Sequence, residues 1–145
     1  MSLFNIFDVA GTGMAAQSMR LNTTASNLAN ADTVAGSPEA AYRAKSPLFS
    51  AAMAGQMGGI GAGGDADSAM GGVKILGVSE SQAAVDSRYE PGNPLADAEG
   101  RVYASNVNPI DELVNMISAS RSYQNNVEVM NTAKQLMLKT LDLGK

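Results

Sequence analysis

Apolar residues recur at seven-residue spacing at both ends of this chain. Phe7, Met14, Leu21 and Leu28 form one such series, with Leu3 and Ala10 on the flanking position. The spacing predicts an amphipathic helix from Leu3 to about Asn30. From Asn106 to Gly144 the pattern is longer. With Leu113 as position a and Met116 as d, the seam runs Leu113, Met116, Ser120, Tyr123, Val127, Met130, Lys134, Met137 and Leu141. Only Ser120 and Lys134 break it, which is the pattern of a coiled-coil strand. At ~1.5 Å per residue this helix is roughly 50 Å long, more than a compact domain of this size accommodates.

The two helices differ in intrinsic strength. Asn108 is a favourable N-cap, Pro109 at the first helical position loses nothing by lacking an N–H, and Asp111 and Glu112 suit the positive end of the dipole. Gly144 is a candidate C′ residue, with Lys139 and Lys145 near the negative end. In the first segment Gly11 and Gly13 each cost about 1 kcal/mol, and Asn22, Thr23, Thr24, Asn27 and Asn30 are indifferent formers. Such a stretch becomes firm when a partner covers its stripe.

Between the helices the pattern changes. Residues 31–49 are rich in turn formers and end in an extended passage, Tyr42-Arg43-Ala44-Lys45 to Phe49. Residues 50–72 hold Gly55, Gly58, Gly59, Gly61, Gly63, Gly64, Gly71 and Gly72 among Ala and Met, the composition of a mobile loop. Val73 to Val78 reads as a strand, Arg88-Tyr89 as the end of another, Glu90 to Pro94 as a turn, and Gly100 to Tyr103 as a short return strand. The expected fold is mainly α with a small β-rich part. Residues 1–30 and 106–145 form a coiled-coil domain of terminal helices, and 31–105 a small middle domain with a flexible Gly/Ala loop at 50–72.

Composition narrows the chemistry. The 145 residues carry a net charge of −4, so no basic stripe is present to neutralise phosphates. Aromatic residues make up 5%, too few for a large aromatic core, and the absence of Cys excludes a disulfide framework and thiolate metal sites. No apolar run approaches the ~20 residues that span a bilayer. The first basic residue is Arg20, so no charged region of a cleavable secretory signal is expected. Histidine is absent, which removes the commonest general base and metal ligand.

The remaining motifs are weak. Gly59-Ile60-Gly61-Ala62-Gly63-Gly64 satisfies G-x-G-x-x-G, but Met53 to Met57 makes a poor preceding strand and Asp65 and Asp67 would repel phosphate; low complexity explains it better. Asp65/Asp67 and Asp97/Glu99 lack EF-hand spacing and read as solvated turn carboxylates. Asn22-Thr23-Thr24 matches a glycosylation sequon too short to carry weight. Asn22, Asn27, Asn30, Asn115, Asn125, Asn126 and Asn131 are either solvent-facing filler or amides that bond between helices and set register. No catalytic, cofactor or metal site is expected, and the chain does not read as an enzyme.

Ala25-Ser26-Asn27-Leu28-Ala29-Asn30-Ala31-Asp32-Thr33 resembles the Ala-Ser-Asn-Leu-Ala-Asn-Ala-x-Thr signature of the flagellar basal-body rod proteins and their hook and distal-rod relatives. Tyr42-Arg43-Ala44-Lys45, Gly72-Val73-Lys74-Ile75, Tyr89 to Pro94, Asp97 to Gly100, Asn106 to Pro109, Met116 to Arg121 and Met130 to Lys134 are similar to blocks of the proximal-rod members. The likeness breaks between Ala51 and Met70 and is loose from Val34 to Ala41. It implies a self-assembling structural subunit of the flagellar rod, the drive shaft crossing the periplasm, exported by the flagellar type III apparatus without signal cleavage. The implied partners are copies of itself, other proximal and distal rod proteins, and the basal adaptor at the membrane ring and export gate. Another axial rod or hook subunit, or a free-standing coiled-coil adaptor or export chaperone, is the alternative. The expected subunit-interface residues are Phe7, Met14, Leu21, Asn27, Leu28 and Asn30 on the first helix. On the second they are Leu113, Met116, Tyr123, Val127, Met130, Met137 and Leu141.

Overall fold

A computed structural model of the chain describes residues 3–53 and 71–143. Its elements are α1 (Leu3–Ala29), β1 (Val34–Ala35), β2 (Lys45–Met53), β3 (Gly71–Glu80), β4 (Ser87–Tyr89), β5 (Arg101–Ala104) and α2 (Pro109–Leu143). The start of α2 follows its local chemistry. The Asn108 side-chain oxygen accepts the Ile110 N–H at 3.0 Å, its backbone carbonyl accepts the Glu112 N–H at 3.1 Å, and its amide donates to Asp111 at 2.9 Å. A side-chain cap of this kind satisfies donors that the first turn leaves orphaned. Gly144, the expected C′ residue, lies outside the described residues.

The two helices pack antiparallel in one constant register. Ile6 shares a groove with Ala133, Gly13 abuts Asn126, and Asn27 bonds to Glu112. Equal steps along both chains separate these pairs, so the register holds for about six turns. The buried residues of α1 are small or polar, Ala10, Ala16, Thr23, Thr24 and Asn27, and those of α2 are Ala119 and Ala133. Side chains this small allow close approach of helix axes. At Gly13 a Cβ would sit 2.9 Å from the Asn126 side-chain nitrogen, so this glycine is a contact point, whereas Gly11 has open space around it.

The heptad seam expected from the sequence therefore does not form the centre of this contact. Met116, Met130 and Met137 are half-buried beside Ala119 and Ala133, but Leu113, Tyr123 and Leu141 are exposed. On α1, Phe7, Met14, Leu21 and Leu28 are half-buried, and none is in the core. The reason lies on the far side of α1, which is also covered, so large side chains are displaced to its flanks.

That second cover is a ribbon of β2 and β3, paired antiparallel from Lys45↔Glu80 to Met53↔Gly71 with a bulge at Leu48/Phe49. It runs along α1. The Thr12 hydroxyl accepts the Val73 N–H at 3.3 Å near one end, and Asn27 bonds Lys45 at the other. Helix α1 thus lies between α2 and the ribbon, and α2 comes near the ribbon at its start, where Glu112 and Asn115 share a pocket with Lys45, Ser46, Pro47 and Phe49. The two ends of the loop expected over 50–72 are strand instead, because Ser50 to Met53 pair with Lys74 to Gly71. Ladder hydrogen bonds are made by the backbone, so Gly and Ala can join a strand that their side chains do not favour. Residues 54–70, which include the G-x-G-x-x-G match and Asp65/Asp67, lie outside the described residues.

A three-stranded sheet, ordered β1-β5-β4 and antiparallel throughout, sits at the end of the helix pair where α1 stops and α2 starts. Val102, fully buried, centres a small core with Ala41, Ala104 and Val107. The turn joining β4 to β5 uses Gly100 at φ 75°, where a Cβ would come within 3.0 Å of the Tyr89 ring.

The two helical glycines are expected to respond oppositely. Gly11→Ala gains about 0.5–1 kcal/mol in urea unfolding, because only helix propensity changes. Gly13→Leu loses about 1–3 kcal/mol, because its side chain must displace Asn126 and part the helices. Equal effects at the two sites would contradict the register described here.

Candidate assembly interface

Asn27 is 1% exposed and lies where α1, β2 and α2 meet. Its amide nitrogen donates to the Lys45 carbonyl at 2.8 Å and to Glu112 Oε1 at 3.0 Å. Its oxygen accepts the Lys45 N–H at 2.9 Å and the Tyr42 hydroxyl at 3.1 Å. A primary amide has two donors and two acceptor positions, and all four are used. The Tyr42 hydroxyl also pairs with Ser26 at 3.1 Å, and its ring lies 5.5 Å from the Lys45 ammonium. Next to this hub Asn106 accepts the Ala44 N–H at 2.7 Å and donates to the Ala83 carbonyl at 3.1 Å, tying the entry of β2 to the segment before α2.

The buried threonines satisfy themselves locally. Thr23 donates to the Met19 carbonyl at 2.8 Å and Thr24 to the Arg20 carbonyl at 3.0 Å, so their hydroxyls cost little in the helix contact. The asparagines divide accordingly. Asn27 and Asn126 meet the opposite helix, Asn30 bonds the Ser26 carbonyl of its own helix, and Asn22, Asn125 and Asn131 face solvent.

Among the described residues, much of α2 has no cover. Ile110 (71% exposed), Leu113, Val114 and Ile117 form an apolar stripe on its first turns, and Val129, Leu136, Leu138 and Leu141 expose a second apolar region towards its end. A groove of about 430 Å³ beside α1 is lined by Ile6, Val129, Ala133 and Leu136, with Asn125, Glu128 and Thr132. Scattered apolar residues on a surface need no explanation, but a stripe at helical spacing on a long helix marks a contact. Of the residues expected at a subunit interface, Leu113, Tyr123 and Leu141 are exposed, whereas Met116, Val127, Met130, Met137 and the α1 series are half-buried and Asn27 is internal. Gly13 meets Asn126 in the intramolecular helix contact, and Ala119 and Ala133 of α2 are buried a heptad to either side of Asn126. The signal these α2 residues leave in the sequence is Ala119, Asn126 and Ala133 recurring at heptad spacing.

Of the carboxylates singled out earlier, Asp97 serves the backbone. Asp97 accepts the N–H groups of Arg101 at 2.8 Å and Glu99 at 2.9 Å, and the Tyr103 hydroxyl at 3.2 Å. These bonds, that from Arg101 first, hold its carboxyl below the ordinary 3.8. Among the described residues no group of three or more His, Cys, Asp or Glu is placed to hold a metal, and no helix is long and apolar enough to cross a membrane.

Two family models match the chain: "Flagella basal body rod protein" over residues 7–36 and "Flagellar basal body rod FlgEFG protein C-terminal" over residues 98–143. Along its whole length the chain is 55% identical to the flagellar basal-body rod protein FlgC of Salmonella typhimurium (strain LT2), covering all of that protein. The corresponding figures are 54% for Escherichia coli O6:H1 and 44% for Buchnera aphidicola subsp. Acyrthosiphon pisum, again with both chains fully covered. The chain belongs to the FlgC family of flagellar basal-body rod proteins.

In this FlgC-family chain the two matched segments are the ones that meet in space. Residues 7–36 carry most of α1 and β1, and 98–143 carry β5 and α2. Helix packs on helix, and β1 pairs with β5 at Val34↔Ala104. The signature Ala25 to Thr33 places Asn27 at the hub, and Thr33 hands the chain on to that sheet through its carbonyl, which accepts the Ser105 N–H at 3.2 Å.

Asn27→Ala is expected to lower stability by ~3 kcal/mol, since it strands the Lys45 N–H, the Lys45 carbonyl and Glu112 Oε1 together, while the Tyr42 hydroxyl keeps Ser26. Asn27→Asp sets a second carboxylate against Glu112 and is milder at pH 4 than at pH 7. Urea unfolding at the two pH values measures both.

The Asp97 turn is expected to hold across a wide pH window. With a folded pKa below 3.8, Asp97 contributes fully above that value and loses its contribution as pH falls through the folded pKa. The Tyr103 hydroxyl, raised above 10.0 by donating to Asp97, contributes fully below that value and loses its part as pH rises through the folded pKa. Amide shifts of Glu99 and Arg101 across a pH titration check this, and Asp97→Asn should abolish the acid transition.

Proposed function

We infer that this chain is a structural, non-enzymatic subunit of the bacterial flagellar basal body. In this reading it stands in the proximal rod, among copies of itself and other rod proteins, and transmits torque. The observation that carries it is the bare apolar face of α2: a 35-residue helix covered along one side, in a chain belonging to a rod-protein family. Residues 1–30 and 106–145 would form the inner tube, where helices of neighbouring subunits complete a coiled-coil-like packing. Residues 31–105 would form the outer layer. Leu113, Tyr123 and Leu141, unused within the chain, face that packing, while Met116, Met130 and Met137 serve both the internal contact and its rim.

Torque through such an array is shared by many van der Waals contacts acting in parallel, each small. Helices in one fixed register suit this role, because a slip along any helix would need all its contacts to break together. The basal adaptor at the membrane ring and the distal rod are the proposed neighbours at the two ends of the shaft.

Val114→Asp and Ile117→Asp are expected to change monomer stability by less than about 0.5 kcal/mol, since both positions are exposed. They should nevertheless abolish swimming and remove the protein from isolated basal bodies. Normal motility in both variants would exclude this face as an assembly surface. A chain that is absent from basal bodies in its unaltered form would overturn the rod reading itself.

A further inference from the structure

We propose that the β2–β3 ribbon of one copy docks in the α1–α2 groove of the next, with Leu76 as its anchor; the inference rests on the rod-subunit reading and names one of its contacts. Leu76 is the extra residue at the bulge. Leu48 pairs with Gly77 and Phe49 with Ile75, so Leu76 has no counterpart on β2, and it is 61% exposed. Bulges bend a ribbon and re-aim a side chain, and here the re-aimed side chain is a large apolar one. Leu48 and Val78 are also exposed on this ribbon.

The groove offers what such an anchor needs. Ile6, Val129, Ala133 and Leu136 give it apolar walls, and its 430 Å³ would hold on the order of a dozen waters for an entering side chain to displace. Charge is complementary as well. Glu128 is the charged residue of the groove, and Lys74 lies two positions from Leu76 on the ribbon. A rim pair of this kind sets orientation more than affinity.

One chain cannot make this contact with itself. The ribbon lies against α1, among the described residues no ribbon residue lines the groove, and α2 comes near the ribbon at Glu112 and Asn115, well before the groove residues Asn125 to Leu136. The two patches are different surfaces, so their contact is head-to-tail and propagates from copy to copy as a ring or helical array.

The chain has no native cysteine, so an engineered pair reports cleanly. Leu76→Cys and Leu136→Cys combined in one chain, oxidised in isolated basal bodies, are expected to give dimers and higher cross-linked species, with neither single variant doing so. Lys74→Glu and Glu128→Lys should each lower the amount in basal bodies about threefold, and the double charge swap should recover it. Cross-links from either single variant, a bridge within one chain, or none despite normal incorporation would overturn the contact while leaving the rod reading intact. Failure of the unaltered chain to enter basal bodies would overturn both.

Discussion

Asn27, buried where α1, β2 and α2 meet, donates to the Lys45 carbonyl and to Glu112, and accepts from the Lys45 N–H and the Tyr42 hydroxyl. Each of those partners would otherwise lose its solvent hydrogen bond without replacement, which is costly in a buried setting. The hub therefore fixes three things together: how far α2 slides along α1, where the ribbon begins, and how the Tyr42 loop folds back. Asn126 against Gly13 confirms the same register two helical heptads away.

Around this constraint the molecule has a thin core of its own. Among the described residues the buried apolar ones are Ala10, Ala16, Ala41, Ala104, Ala119 and Ala133 with Val102 and Val107, and none of them is a Leu, Ile or Phe. Small residues bring backbones together but remove little apolar area from water, so the chain alone gains modest hydrophobic stabilisation. The larger apolar side chains lie outside, on α2 and on the ribbon. For a subunit whose neighbours cover those surfaces, stability and assembly become one quantity, as linkage requires of any ligand that binds the folded state.

The position of α1 explains why its contacts were hard to read. A helix with one buried side shows an apolar stripe, and the Phe7, Met14, Leu21, Leu28 series is such a stripe. Once the ribbon covers a second side, the inward faces are chosen for closeness and hydrogen bonding, and Ala, Gly, Thr and Asn fill them. Gly13 and Asn27, weak helix formers by propensity, thus sit at contacts with the opposite helix. Similarly, Asp97 and Glu99 on a turn suggested solvated carboxylates, and only the fold brings the Arg101 N–H and the Tyr103 hydroxyl onto Asp97.

From the sequence alone came the two terminal helices, the Asn108 cap, the strands around Val73, Arg88 and Val102, and the family signature, because local propensity, capping and periodicity act within a few residues of chain. The tertiary structure decided which helix face is internal, that Ser50 to Met53 and Gly71-Gly72 join a ribbon, and that Asn27 and Asn126 face the opposite helix while Asn22, Asn125 and Asn131 face water. Those outcomes depend on contacts between residues tens of positions apart. Main-chain pairing and the fit of small side chains against a particular neighbour leave almost no trace in hydrophobic spacing, so they can be read only once the neighbour is in place.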